Sequence, residues 1–201
     1  MDRSIQLREK KQASGKFIMP AMVKVNGSPT KHSKTGILID ALGDAISRII
    51  PMESHTIPLS DVGHEIMCGL TRADIGSGGK QLLQIAEQAD VLIIGTPVYR
   101  ASYTGLLKHF FDLIDRDVMR GRKAVLCATG ANQMHSLVIE HQMRPLMGFF
   151  SIQTPATGIY ATSDQFADGA VSSAALKADI ERVAEELCGL LATSNAAFTR
   201  S

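Results

Sequence analysis

Residues 90–95 read Asp-Val-Leu-Ile-Ile-Gly, with four branched apolar residues in succession and no polar residue among them. A strand with one face in water alternates apolar and polar side chains, whereas this one is apolar throughout. Such a run suits a central strand of a parallel sheet, buried on both faces and therefore covered by helices above and below. Gly95 and Pro97 close it. Residues 123–128 behave in the same way and break at Thr129-Gly130. Two such strands commit the chain to a layered α/β architecture.

Helices and strands alternate along the rest of the chain. A first strand is expected at 22–26, stopping at the turn signal Gly27-Ser28-Pro29. A helix follows at 34–50, where Ile37, Leu38, Ala41, Leu42, Ala45, Ile46 and Ile49 fall at helical spacing. Ser33 stands at its N-cap position and Pro51 marks its end. A short second strand is expected at 53–59, and helices at 80–88, 104–115 and 134–150, the last kinked at Pro145. A last strand at 153–160 and a closing helix at 173–191 complete the pattern, while 61–79 reads as a loop or a short helix. Five strands in this alternation predict a flavodoxin-like three-layer sandwich with a five-stranded parallel sheet in the order 2-1-3-4-5. The expected division is a flexible N-terminal arm over 1–20, one domain over 21–193 and a C-terminal tail over 194–201.

Composition narrows the functions such a domain can have. A formal net charge of +1 offers no electrostatic attraction to nucleic acid or to an anionic membrane surface. Aromatics are 5 % and Trp is absent, which argues against a stacking platform for single strands. No run reaches the length of a bilayer span, and the basic segment 1–16 lacks the apolar stretch of a secretory signal. Cys68, Cys127 and Cys188 form no CxxC pair and no zinc-ligand spacing, so free thiols, no metal site and a cytoplasmic location are expected. The charged stretch 116–123 reads as a solvated face.

The strongest local chemistry lies in Gly27-Ser28-Pro29-Thr30-Lys31-His32-Ser33-Lys34-Thr35. This segment leaves the first strand and enters the first helix, where backbone N–H groups and the helix dipole favour an anion. Ser28, Ser33 and Thr35 add hydroxyl donors and Lys34 a positive charge, a set suited to a terminal phosphate monoester. Neither GxxxxGK[ST] nor GxGxxG is present, so a nucleotide triphosphate or the pyrophosphate of a dinucleotide is not the natural ligand. The plainer alternative is a polar turn with an ordinary Ser N-cap.

Two further loops follow strands expected beside the first. Pro97, Val98 and Tyr99 can wall a flat heteroaromatic ring, with backbone amides near Tyr99 and Arg100 turned toward its polar edge. A solvated surface Arg, or a contact to the phosphate of a nicotinamide dinucleotide, is the alternative at Arg100. Thr129, Gly130 and Ala131 supply a third loop of small residues. In open α/β sheets ligands collect at this carboxyl edge, near the point where strand order reverses.

Together, GSPxxxSxT from Gly27, TPVYRASYTGLLKHFFDL from Thr96 and ATG from Ala128 resemble the NADPH-dependent FMN reductase family. They are similar in particular to the FMN reductases of bacterial alkanesulfonate assimilation, which pass reduced FMN to a separate flavin-dependent monooxygenase. The resemblance covers roughly 22–191. It implies FMN phosphate at Ser28, Ser33, Lys34 and Thr35, and ring contacts from Pro97, Val98, Tyr99 and Arg100. Thr129, Gly130 and Ala131 would stand at the ring's other side. It also implies NADPH or NADH as hydride donor and a homodimer or homotetramer. A π-bulge with Tyr or His, matched here by His141, would lie at the subunit interface. No catalytic acid, base or nucleophile is expected, because the flavin carries the chemistry.

Two other functions share the fold, a quinone or azo-dye reductase with tightly held FMN and a non-enzymatic electron carrier. Classical carriers are strongly acidic, and the charge of +1 speaks against that role. His135 and His141, six residues apart, do not share the helical face that a metal pair needs. His32, His55, His64 and His109 are expected at the surface.

Overall fold

The computed structural model describes residues 20–198, so the expected N-terminal arm apart from Pro20, and residues 199–201 of the expected tail, lie outside the described residues. Five strands, β1 (Ala21–Asn26), β2 (Glu53–Pro58), β3 (Val91–Pro97), β4 (Lys123–Gly130) and β5 (Ile159–Thr162), form a parallel sheet in the order β2-β1-β3-β4-β5. The register pairs Met22 with Val91, Val91 with Lys123 and Cys127 with Ile159. Sheet order and layering are those expected from the sequence.

The apolar run in β3 explains the layers. Val91 and Ile93 join one core cluster with Met22, Val125 and Cys127, beneath helices α1 (Lys34–Ile49) and α7 (Ala174–Phe198). Leu92 and Ile94 point the other way with Val23, Val25, Ala124 and Leu126. They pack under α2 (Leu59–Met67), α3 (Ser77–Gln88), α4 (Gly105–Asp112), α5 (Arg116–Met119) and the segment 133–150, which ends in α6 (Arg144–Phe149). Residues 91–94 are each at most 1 % exposed. At about 1.5–3 kcal/mol per fully buried aliphatic side chain, these four anchor the sheet before chain entropy is counted. Among the described residues no helix is long and apolar enough to cross a membrane.

Several boundaries differ from expectation for identifiable reasons. Helix α2 begins at Leu59, the last residue of the expected second strand, and runs into the segment expected as a loop or short helix, its nine residues presenting Leu59 and Ile66 to the core. Helix α3 begins at Ser77, three residues before expected, because Gly78 and Gly79 lie inside its first turn instead of ending a loop. The helix expected at 104–115 stops at Asp112, and α5 restarts at an Asp115 cap that accepts from Asp117 N. Helix α7 continues through Phe198, past the expected end at 191. The charged stretch 116–123 is not a uniformly solvated face: Lys123 is buried with Nζ donating to Gly121 O, and Arg122 donates to Glu87 O. His109 is half-buried, with Nε2 2.9 Å from Gly69 O, so it belongs to the packing of the loop after α2.

The helix expected at 134–150 is three pieces: a 3₁₀ turn at Gln133–His135, a π turn at Ile139–Met143, and α6. Pro145 accounts for the wide turn. A proline ring collides with the carbonyl four residues earlier, here that of His141, and removes one N–H donor. The backbone accommodates this by closing one turn across five residues, with Arg144 N donating to Ile139 O.

The strand expected at 153–160 forms only over Ile159–Thr162, with an isolated bridge between Gln153 and Lys123. Arg144 explains the loss of the first half. Its guanidinium takes Thr154 Oγ1 and the carbonyls of Pro155 and Ala156, turning those groups away from a ladder. Thr157 then donates from N and Oγ1 to Glu186 on α7, at 3.0 and 2.6 Å. The Thr157 hydroxyl, then its amide, hold the Glu186 carboxyl below its ordinary value. A group depressed in the fold adds stability that is full above its unfolded pKa, about 4.3, and is lost as pH falls through the folded one. Glu186→Gln is therefore expected to flatten the decline of melting temperature below about pH 4.3. An unchanged acid limb in a pH series of thermal melts would show that this carboxyl is not coupled to folding.

Candidate functional site

The loops after β1, β3 and β4 meet at the carboxyl edge of the sheet around a cleft of about 260 Å³. The chain leaves β1 toward α1 on one face and β3 toward α4 on the other, so the cleft sits where the winding reverses.

At one end stands the loop from Gly27. Asn26 organises it: Oδ1 accepts from Ser28 N at 3.1 Å, and Nδ2 lies 3.5 Å from Ser33 Oγ. Ser28 is buried, and its hydroxyl bonds Thr30 Oγ1 at 3.0 Å. Ser33 is the cap expected from the sequence, its Oγ accepting from Gly36 N at 3.1 Å. The first turn of α1, sixteen residues long, thus stands at the cleft, with Ser28, Ser33, Lys34 and Thr35 in its lining.

The opposite side is apolar. Pro97 and Val98 are partly exposed at the end of β3, and Tyr99 presents a ring that is 47 % exposed at the mouth. Val98 N donates to Thr129 O at 2.8 Å, so this wall is fastened to the third loop. Thr129, Gly130 and Ala131 form the adjoining side. Thr35 Oγ1 and Thr129 Oγ1 are 2.7 Å apart and both residues are buried, which joins the first loop to the third beneath the cleft.

Every residue expected in the site lines the cleft except Arg100. Arg100 is exposed at the tip of a tight turn, Tyr99–Ser102, closed by Tyr99 N to Ser102 O at 2.8 Å and Ser102 N to Tyr99 O at 3.1 Å. Its φ is 50°, a conformation that an Arg in a sequence does not announce. His141 lies within the π turn, exposed, and does not line the cleft.

Two lining residues went unnoticed in the sequence, Thr30 and Ser163. Ser163 follows β5, where the same edge rule would have placed it had the end of that strand been read two residues later. It begins a short capped turn leading into a hairpin of β6 (Phe166–Ala167) and β7 (Ala170–Val171). The hairpin turns on Asp168-Gly169, both at positive φ, and the Asp-Gly pair was a legible signal. Next to Ser163, the Thr162 hydroxyl and then the residue's own amide hold the Asp164 carboxyl below its ordinary value, with the Lys34 charge adding to the effect. Burial pushes the Cys127 thiol far up and leaves it inert in the core.

A sheet in this order, with its cleft at the reversal point, defines a flavodoxin-like α/β protein. Comparison with known sequences goes further: residues 20–167 match the profile of the NADPH-dependent FMN reductase family, and the chain belongs to that family. It is 42 % identical over 172 residues to an NADH-dependent FMN reductase, SfnF, of Pseudomonas fluorescens, covering 86 % of this chain and 92 % of that one. It is 37 % identical over 169 residues to an FMN reductase (NADPH) of Pseudomonas aeruginosa, covering 84 % and 91 %. An oxidoreductase of Corynebacterium diphtheriae, solved by X-ray methods, superposes with a TM-score of 0.76 at 27 % identity, covering 88 % of this chain and 99 % of that one.

Proposed function

We propose that the chain is an NAD(P)H-dependent FMN reductase that delivers reduced flavin to a separate monooxygenase of sulfonate or sulfur metabolism. The observation that carries the activity is one cleft with a hydroxyl-rich helix N-terminus at one end and an apolar aromatic wall at the other. That donor set fits FMN: neutral hydroxyls and free amides suit its phosphate, and a shallow apolar wall suits one face of a flat ring.

In this reading Ser28, Ser33, Lys34 and Thr35 hold the phosphate, the charge being met by amides and the helix dipole rather than by a buried cation. Pro97, Val98 and Tyr99 bear on the ring and exclude water from one side. Thr129, Gly130 and Ala131 close the other edge and, through the Thr35–Thr129 bond, keep phosphate and ring ends in fixed relation. FMN held by these residues would supply the hydride-accepting chemistry, so the protein's part is to align two rings. Arg100, exposed at the rim, is free to meet the phosphates of the nicotinamide dinucleotide. Likeness to the alkanesulfonate reductases supports the monooxygenase partner, and the Sfn relative is consistent with it. The exposed π turn at His141, with Met134 86 % and Leu137 58 % exposed nearby in sequence, supports self-association into a dimer or tetramer. A monomeric mass in solution would contradict that part.

The activity is tested by mixing the protein anaerobically with FMN and either NADH or NADPH. Bleaching of the oxidised flavin band is expected with at least one donor, and none with either would remove the proposed reaction.

A further inference from the structure

Gln142, inside the π turn, bonds twice to the turn that carries Tyr99. Its Nε2 donates to the Ala101 carbonyl at 3.0 Å, and its Oε1 accepts from Ser102 Oγ. One planar amide thereby meets an acceptor and a donor on consecutive residues, a pairing that needs a side chain carrying both functions.

The turn it grips is strained. Arg100 has φ 50° and Ala101 φ 66°, in the left-handed region where a Cβ crowds the following carbonyl. Two-residue turns of this kind ordinarily carry Asn-Gly or Asp-Gly. Here two residues with full side chains occupy both positions, and the backbone bonds between Tyr99 and Ser102 secure only the ends of the turn. The wide turn also sets the aim of Gln142. Deleting one residue from a helical turn rotates the segment before it by about 100° relative to the segment after it, which would carry the amide off Ala101.

We propose that Gln142 is a positioning residue for flavin reduction, clamping the Tyr99–Ser102 turn in its left-handed form so that Tyr99 and the neighbouring backbone stay aligned with the ring. The inference rests on the flavin reading of the cleft. Both bonds lie near the surface, where water can replace them, so their loss disturbs alignment more than folding.

The test compares the full-length parent, Gln142→Leu, Ala101→Gly and the double variant by FMN fluorescence quenching and by steady-state kinetics. Gln142→Leu is expected to weaken FMN binding about tenfold and to raise KM for FMN more than it lowers kcat. Ala101→Gly in the same chain is expected to restore most of the loss, because glycine takes the left-handed form without strain. Unchanged binding and kinetics in Gln142→Leu, or a loss that Ala101→Gly does not restore, overturns the clamp. Should Gln142→Leu not fold, Gln142→Glu replaces it with the same two outcomes, since a carboxylate still accepts from Ser102 but cannot donate to Ala101. A parent chain that leaves FMN fluorescence unquenched overturns the flavin reading itself, and the clamp with it.

Discussion

Gly27→Val is expected to cost the fold about 3 kcal/mol and to abolish measurable FMN binding. Gly27 is buried where β1 hands over to the phosphate-loop candidate, its N donating to Gly95 O at 2.8 Å and its carbonyl accepting from Thr104 Oγ1 at 2.7 Å. A Cβ there would stand 2.9 Å from that same Gly95 oxygen and 3.0 Å from Leu107 Cβ. The first neighbour is backbone of the central strand and the second is the packed face of α4, so neither can move aside alone. Two further methyl groups force the loop outward and carry Ser28 with it. At about 2–4 °C per kcal/mol for a chain of this size, the melting temperature should fall by roughly 6–12 °C. A thermal melt paired with FMN titration checks both effects, and a fall of less than about 2 °C would mean that the loop yields without strain.

Lys34→Glu is expected to weaken FMN about a hundredfold while leaving riboflavin binding nearly unchanged. Lys34 lines the cleft beside Ser28, Ser33 and Thr35, is exposed, and already acts electrostatically on Asp164. Reversal changes the local charge by two units, each worth about 1–1.5 kcal/mol against a phosphate in a partly solvated site. A loss of about 2–3 kcal/mol is close to a hundredfold in affinity. Riboflavin shares the ring but lacks the phosphate, so it separates a charge effect from damage to the loop. The defect should shrink as salt rises. Equal losses for both flavins would place Lys34 at the ring or in the packing, and would contradict its assignment to the phosphate.

How far the sequence reached depends on whether the decisive contacts are local. The run at 91–94 needs no partner to be read, because four adjacent branched residues can only be buried on two faces. Ser33 announces its cap three residues before the amide it serves. The three loops follow from strand order alone, and so do the residues they carry. Where the reading failed, a distant group intervened. Arg144 captures a hydroxyl and two carbonyls ten to twelve residues away and prevents the first half of the expected last strand. The positive φ of Arg100, which stands outside the residues lining the cleft, lies in a turn that carries no glycine to signal it. The π turn was anticipated from family resemblance, and Pro145 had marked the same place physically as a kink.

The hydroxyl contact between Thr35 and Thr129 joins residues 94 positions apart. The two ends of the cleft are therefore brought into register only when the first crossover and the fourth strand have docked. Such long-separation closure comes late in folding. Flavin capture would then report completion of the whole sheet, and each tenfold excess of FMN over its dissociation constant would add about 1.4 kcal/mol to the finished state alone.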